Sequence, residues 1–175
     1  MSTFMRPGTL RRVSATMLLV GIVFAAGSAR AGAWVADAKS GCKVWNHTPQ
    51  LEESVAWSGS CANGRAEGHG VARWSKDGNP TETDEGEWLD GRQAGKGTQT
   101  WSSGRYEGEL SDGEPNGLGI LILQKLHYEG DFRNGKPNGV GTLTAGSETV
   151  RGTWKDGCLQ GQRKGSIGVP LSACR

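Results

Sequence analysis

Tyr106-Glu-Gly108-Glu-Leu110-Ser-Asp-Gly113, with Gly117-Leu-Gly119 after it, is answered by Tyr128-Glu-Gly130-Asp-Phe132-Arg-Asn-Gly135 and Gly139-Val-Gly141. Every landmark returns after 22 residues. A fixed period in the range of roughly 20–50 residues marks an array of structural repeats. Within one unit, Tyr106, Gly108 and Leu110 alternate with Glu107 and Glu109, so an extended chain puts the acids on the opposite face. Asp112-Gly113 supplies a tight turn, and the Gly-x-Gly opens a return strand. Each unit therefore reads as one β-hairpin. Glycine inside a strand normally weakens it. An aromatic ring laid over the bare backbone offsets that weakness, which predicts rings covering glycines and accounts for 29 glycines in a folded chain.

The pattern Y-x-G-x-W/F-x-D/N-G, then G-x-G and an alternating strand, resembles the MORN repeat. Five copies can be laid along residues 57–161, centred on Trp57-Ser-Gly59, Glu85-Gly86-Glu-Trp88, Tyr106-Glu-Gly108, Tyr128-Glu-Gly130 and Arg151-Gly152-Thr-Trp154. The outer copies depart from the pattern. Cys61 stands where the second aromatic belongs, Asp84 and Val150 stand where the first does, and no Gly-x-Gly follows Cys158. The expected fold is all-β: an elongated single-layer antiparallel sheet of stacked β-hairpins with disulfide-capped ends. Residues 56–161 form the array, and 32–55 and 162–175 are its caps. Some members of the family that the chain resembles join the repeats to a lipid kinase or methyltransferase domain. Once array and caps are placed, these 175 residues leave no room for one.

Residues 1–31 read as an export signal. Arg6, Arg11 and Arg12 precede an apolar run over 13–26, and Ala29-Arg30-Ala31 offers an A-x-A cleavage site. That run falls short of the roughly 20 residues a membrane span needs. Cleavage near Ala31 is expected to leave a soluble periplasmic or secreted chain. These residues carry four Arg and no acid, so without them the formal charge moves from +2 to −2, 16 basic residues against 18 acidic. No clustered basic footprint for nucleic acid remains, and Arg163-Lys164 is too small a basic group to hold a membrane. Membrane binding is expected to be weak or absent.

Four cysteines in an exported chain imply two disulfides. Of the three possible pairings, position favours Cys42–Cys61 and Cys158–Cys174, which staple the start and the end of the array. Terminal repeats lack one neighbour and need such caps. A metal site or redox pair would call for C-x-x-C spacing or nearby His, and neither is present.

No catalytic constellation emerges: there is no Gly-x-Ser-x-Gly elbow, phosphate loop or paired metal-binding His motif. No cofactor is expected. Residues 76–84 read as an extended loop between repeats, with the acidic run Glu82, Asp84, Glu85 and Glu87 at its end. Those oxygens are of the kind calcium takes, although a solvated loop is the simpler reading. Residues 167–173 read as a closing strand. Two surfaces are candidates for binding. Trp74, Trp88, Trp101, Tyr106, Tyr128 and Phe132 share one face, as the core of the sheet or as an aromatic groove for glycans. On the reverse face, Glu107, Glu109, Glu129 and Asp131 surround Leu118, Ile120 and Ile122, with no Lys or Arg expected on the return strands between them. An apolar centre with an acidic rim suits a cationic protein partner or a second copy of the chain. The sequence thus points to a non-catalytic interaction module binding a protein partner, with a glycan binder or weak glycan-active enzyme as the alternative.

Overall fold

The computed structural model describes residues 32–161 and 165–174. The expected leader and Arg163-Lys164 lie outside the described residues.

The chain forms one open sheet of hairpins. β1 (Ala33–Ala36) and β2 (Lys43–Asn46) pair antiparallel. β3 (Glu53–Trp57) and β4 (Ser60–Ala62) both pair with the long β5 (Arg65–Lys76), which β2 meets at a parallel bridge, Lys43 to Arg65. From there the path is a plain meander. β6 (Asn79–Leu89), β7 (Arg92–Trp101), β8 (Gly104–Ser111), β9 (Glu114–Leu123), β10 (Leu126–Arg133), β11 (Lys136–Ala145) and β12 (Glu148–Lys155) each pair antiparallel with the next, and β13 (Cys158–Leu159) closes the edge.

The turns are written in the sequence. Asn63-Gly64, Asp77-Gly78, Asp90-Gly91, Asp112-Gly113, Asn134-Gly135 and Asp156-Gly157 all hold two consecutive residues at positive φ, the two-residue hairpin turn that matches strand twist. The turn glycines also tie hairpin to hairpin. Gly113 donates its N–H to the Gln93 carbonyl at 2.9 Å, Gly135 to Pro115 at 3.0 Å and Gly157 to Pro137 at 2.9 Å.

Register turns the glycine repeat into a physical line across the sheet. Gly70, Gly86, Gly97, Gly108, Gly119, Gly130, Gly141 and Gly152 are successive cross-strand partners from β5 to β12. Rings lie over this line on one face. An ideal Cβ at Gly119 would sit 2.3 Å from the Tyr106 hydroxyl oxygen, and one at Gly141 2.1 Å from that of Tyr128. Trp57 covers Gly70 in the same way. Just past the line the hairpins bulge in phase, between Gly86 and Trp88, Gly108 and Leu110, and Gly130 and Phe132.

The rings form the core. Tyr106 meets Phe132, Phe132 meets Tyr128 and Tyr128 meets Trp154, all edge-to-face with centroids 5.1–5.2 Å apart. Burying a ring contributes on the order of 1.5–3 kcal/mol. This C-terminal cluster also takes in Leu110, Leu159 and Ile167, while Val44, Val55, Trp57, Trp74 and Trp88 form a separate N-terminal one. Disulfides Cys42–Cys61 and Cys158–Cys174, with Cα atoms 5.8 and 5.4 Å apart, sit at the two ends.

Two local expectations are corrected. Residues 76–84 are not a loop: Asp77-Gly78 makes the tight turn, and β6 runs straight on from Asn79, its register adjusted by a shift between Trp74 and Ser75. Residues 167–173 are not a strand. Ser166 makes one bridge to Cys158, then Gly168 at φ 72° and Pro170 divert the chain into a turn of 3-10 helix, Leu171–Ala173.

Candidate functional site: a groove floored by glycine

The face opposite the rings carries an open groove of about 910 Å3 along the glycine line. Gly86, Gly97, Gly108, Gly119, Gly130 and Gly141 contribute bare backbone to its floor. One wall is a continuous cross-strand row: Glu85, Thr98, Glu107, Ile120, Glu129, Thr142 and Arg151. Lys96, Glu109, Leu118 and Val140 stand on the other. Period-two alternation places every one of these side chains away from the rings.

Of the residues expected to make a partner surface, the groove brings together Glu107, Glu109, Leu118, Ile120 and Glu129. Leu118 and Val140 are 62% and 51% exposed, large apolar groups left in solvent at the groove wall. Ile122 is on the same face but lies beyond the groove, between Arg105 and His127. Asp131 is drawn into the fold: its carboxylate accepts the Val140 N–H at 2.9 Å, satisfying a backbone donor beside the bulge. Sequence reasoning missed Val140, Lys96 and Arg151, although alternation from Thr142 and Thr98 would have found the first two.

The expectation that the return strands bring no cation is corrected. Lys96 on β7 is the cross-strand partner of Glu109, and Arg105 on β8 pairs with Glu107. His69 lies 3.3 Å from Glu87. Two strand residues along from Thr98 is still the same face, and that position is Lys96. Glu129 keeps no such partner: its neighbours across the strands are Ile120 and Thr142. The groove lining holds four carboxylates, those of Glu85, Glu107, Glu109 and Glu129, against Lys96 and Arg151, so it remains acidic around Ile120.

The aromatic residues expected to line a groove are packed into the sheet's own core. Tyr106, Tyr128, Trp74, Trp88 and Phe132 are buried and Trp101 is half-buried, because the rings fill each other's edges and cover glycines. Tyr106 donates its hydroxyl to the Glu109 carbonyl at 2.8 Å, Tyr128 donates to that of Asp131 at 3.3 Å, and burial pushes the Tyr128 phenol up to about 12.

Comparison with known families matches the MORN repeat at residues 58–78, 85–104, 106–125 and 128–149. The chain belongs to the MORN-repeat family. No curated protein matches it. MORN repeats are in general interaction modules for proteins and membranes and typically carry no catalysis. The two disulfides of this MORN protein point to an oxidising, non-cytoplasmic environment. Among the described residues no helix is long and apolar enough to cross a membrane.

One position breaks the MORN grammar and changes the chemistry beneath it. The row that holds Tyr106, Leu121, Tyr128, Leu143 and Val150 runs through Gln99 and Asp84 to Ala72 and Trp57. No ring covers Gly86 and Gly97 there; Leu110, with Gln93 beside it, reaches over Gly97 instead. Asp84 is 6% exposed, and its Oδ2 accepts the Trp74 indole N–H at 2.7 Å. Burial pushes the Asp84 carboxyl well above the usual range, and the charge of Glu82 adds to this. Glu82 is raised too, first by burial. The acidic run 82–87 is no calcium loop, because Glu82 and Asp84 face the rings while Glu85 and Glu87 face away.

Proposed function

We propose that the mature chain is a non-catalytic, exported interaction module that holds an extended, partly basic segment of a protein partner in the glycine-floored groove. The observation that carries this reading is the groove itself: a bare-backbone floor crossing six hairpin strands, with exposed Leu118 and Val140 and half-buried Ile120 set among unbalanced carboxylates. The floor residues face the rings, so only backbone lies toward the groove and a ligand's main chain can approach it closely. The apolar wall supplies contact area, and the acidic wall selects lysine and arginine and steers them in at low salt. Export is supported by the expected leader over residues 1–31 together with the two disulfides.

The test is selection of binders from a random peptide library on the oxidised mature protein. Enriched sequences should alternate basic and apolar residues, and should lose binding to Leu118→Ser with Ile120→Ser. Leu51→Ser, an exposed position off the array, should bind as before. Enriched peptides that bind the groove variant as well as the parent would refute the reading. A concentration-dependent dimer that Leu118→Ser with Ile120→Ser dissolves would instead make the occupant a second copy.

A further inference from the structure

On the ring face, between the two apolar clusters, lies a half-open cavity of about 190 Å3 where Asp84 replaces the tyrosine of the neighbouring repeats. By liquid share this is room for about six waters. Its wall includes Trp45, Trp74, Glu82, Asp84, Trp88 and Gln99. Two buried polar atoms of this wall have no partner among the described residues: Oδ1 of Asp84, an acceptor, and the indole N–H of Trp45, a donor. Other polar groups here are occupied. Gln99 donates to Gln93 at 2.9 Å and to the Gly113 carbonyl at 3.0 Å, and Trp88 donates to the Gly70 carbonyl.

The charges facing the cavity are one-sided. Glu82 and Asp84 come from β6 and Glu114 from β9; Glu53 on β3 acts on Glu82 from behind. His47, from the segment after β2, lies 3.9 Å from Glu114 and is positive only when protonated. Arg92 on β7 is not part of the cavity wall; it stacks over Trp34 and Trp45 and is bonded to Asp112, with its Nε buried and unpartnered among the described residues. Among the described residues no lysine or arginine lines the cavity. Among the described residues no three His, Cys, Asp or Glu side chains are grouped to hold a metal ion. A buried carboxylate pair walled by indoles and lacking a counter-charge matches an organic cation, since indole faces attract ammonium groups. The unmatched indole N–H matches a hydroxyl oxygen on the same ligand.

We propose that this cavity binds a small hydroxylated amine, its ammonium seated between Asp84 and Glu82 against the Trp74 and Trp88 rings. The empty site holds a proton on the carboxyl pair. The ligand's ammonium displaces that proton to solvent, so the charge inside the cavity is unchanged by the exchange. Binding is thereby linked to proton release: affinity rises with pH while the empty pair still carries its proton, and levels off above that point.

The experiment is isothermal titration calorimetry of the oxidised mature protein with ethanolamine and glucosamine, each paired with a neutral counterpart, ethylene glycol and glucose. Saturable millimolar-range binding of at least one amine is expected, with its neutral counterpart at least about tenfold weaker. Repeating the titration in buffers of different ionisation enthalpy should reveal about one proton released per amine bound. Asp84→Asn, which keeps the side chain's shape, should weaken the amine at least about tenfold, while Glu148→Gln, exposed on β12 and outside both the groove and the cavity, should leave it unchanged. Preference between the two amines separates a headgroup-like ligand from an amino sugar. The proposal is overturned if neither amine binds, if the neutral compounds bind equally well, or if the parent protein releases no proton. It is also overturned if Asp84→Asn, shown folded by its thermal transition, binds as before. None of these outcomes depends on the groove of the opposite face.

Discussion

Gly119→Ala tests the rule by which this sheet is built. Gly119 has no positive φ, so alanine there brings no backbone strain. What it brings is a Cβ placed 2.3 Å from the Tyr106 hydroxyl oxygen, 2.5 Å from Cε2 and 2.6 Å from Cζ. Carbon contacts are comfortable at about 3.5–4.0 Å, so the ring has to move by roughly 1 Å. Tyr106 is 1% exposed, bonded to the Glu109 carbonyl at 2.8 Å and packed on Phe132 at 5.1 Å. Overpacking of this kind costs about 1–3 kcal/mol, and loss of the hydroxyl bond adds about 1 kcal/mol. Tyr106→Ala alone should cost about 3–5 kcal/mol through the cavity it opens. With the ring gone, the alanine methyl at 119 has space, so the double variant should be more stable than the sum of the single losses implies, by about 1–3 kcal/mol. Urea denaturation followed by tryptophan fluorescence gives the four stabilities, provided the transition is single and its slope constant. Additive losses, or a Gly119→Ala protein as stable as the parent, would refute the covering-ring account.

Other expectations follow from the same coordinates. Replacing Cys158 and Cys174 by serine removes a bridge across 16 residues, worth about 3 kcal/mol by chain entropy; hydrogen exchange should show protection lost first in β12 and β13 and retained in β8 to β10. Asp84→Asn should stabilise the protein at neutral pH. Because the folded carboxyl is raised, the native state binds more protons than the unfolded one above the ordinary aspartate range, so stability falls as pH rises through that window. The variant's advantage, measured by denaturation midpoints, should vanish at acid pH and grow by up to about 1.4 kcal/mol per pH unit across the window. Each Lys or Arg near an anionic membrane contributes only about 1 kcal/mol, so mature protein should not co-sediment with anionic liposomes at physiological salt; robust co-sedimentation would contradict this.

Periodicity made most of the architecture legible before any coordinates. A 22-residue spacing with period-two alternation is enough to place Tyr106 and Tyr128 over glycines and the glutamates on the reverse face. The Asp-Gly and Asn-Gly pairs fix the turns because few residues tolerate consecutive positive φ. Register was not legible. That eight glycines fall on one line, six of them along the groove, depends on how extra residues in β7, β9 and β11, opposite Glu87, Glu109 and Asp131, adjust successive strands. Residues 76–84 misled because Pro80 and two turn pairs look like a loop, whereas Pro80 occupies a place in β6 where the register already shifts. The Asp84 cavity left one trace, a carboxylate in a tyrosine's place. Its burial by Trp45 and Trp74, from strands far away in sequence, is a tertiary fact.

The central claim is that this MORN array binds through the glycine-floored face. The most direct measurement is a methyl-labelled NMR titration of the mature protein with the tightest library-selected peptide. Leu118, Ile120 and Val140 report from the groove, and Leu121, Leu126 and Leu143 from the ring face. The account predicts saturable shifts at the first three with the ring-face methyls still. Shifts centred on Leu121 and Leu143, with Ile120 unmoved, would contradict it.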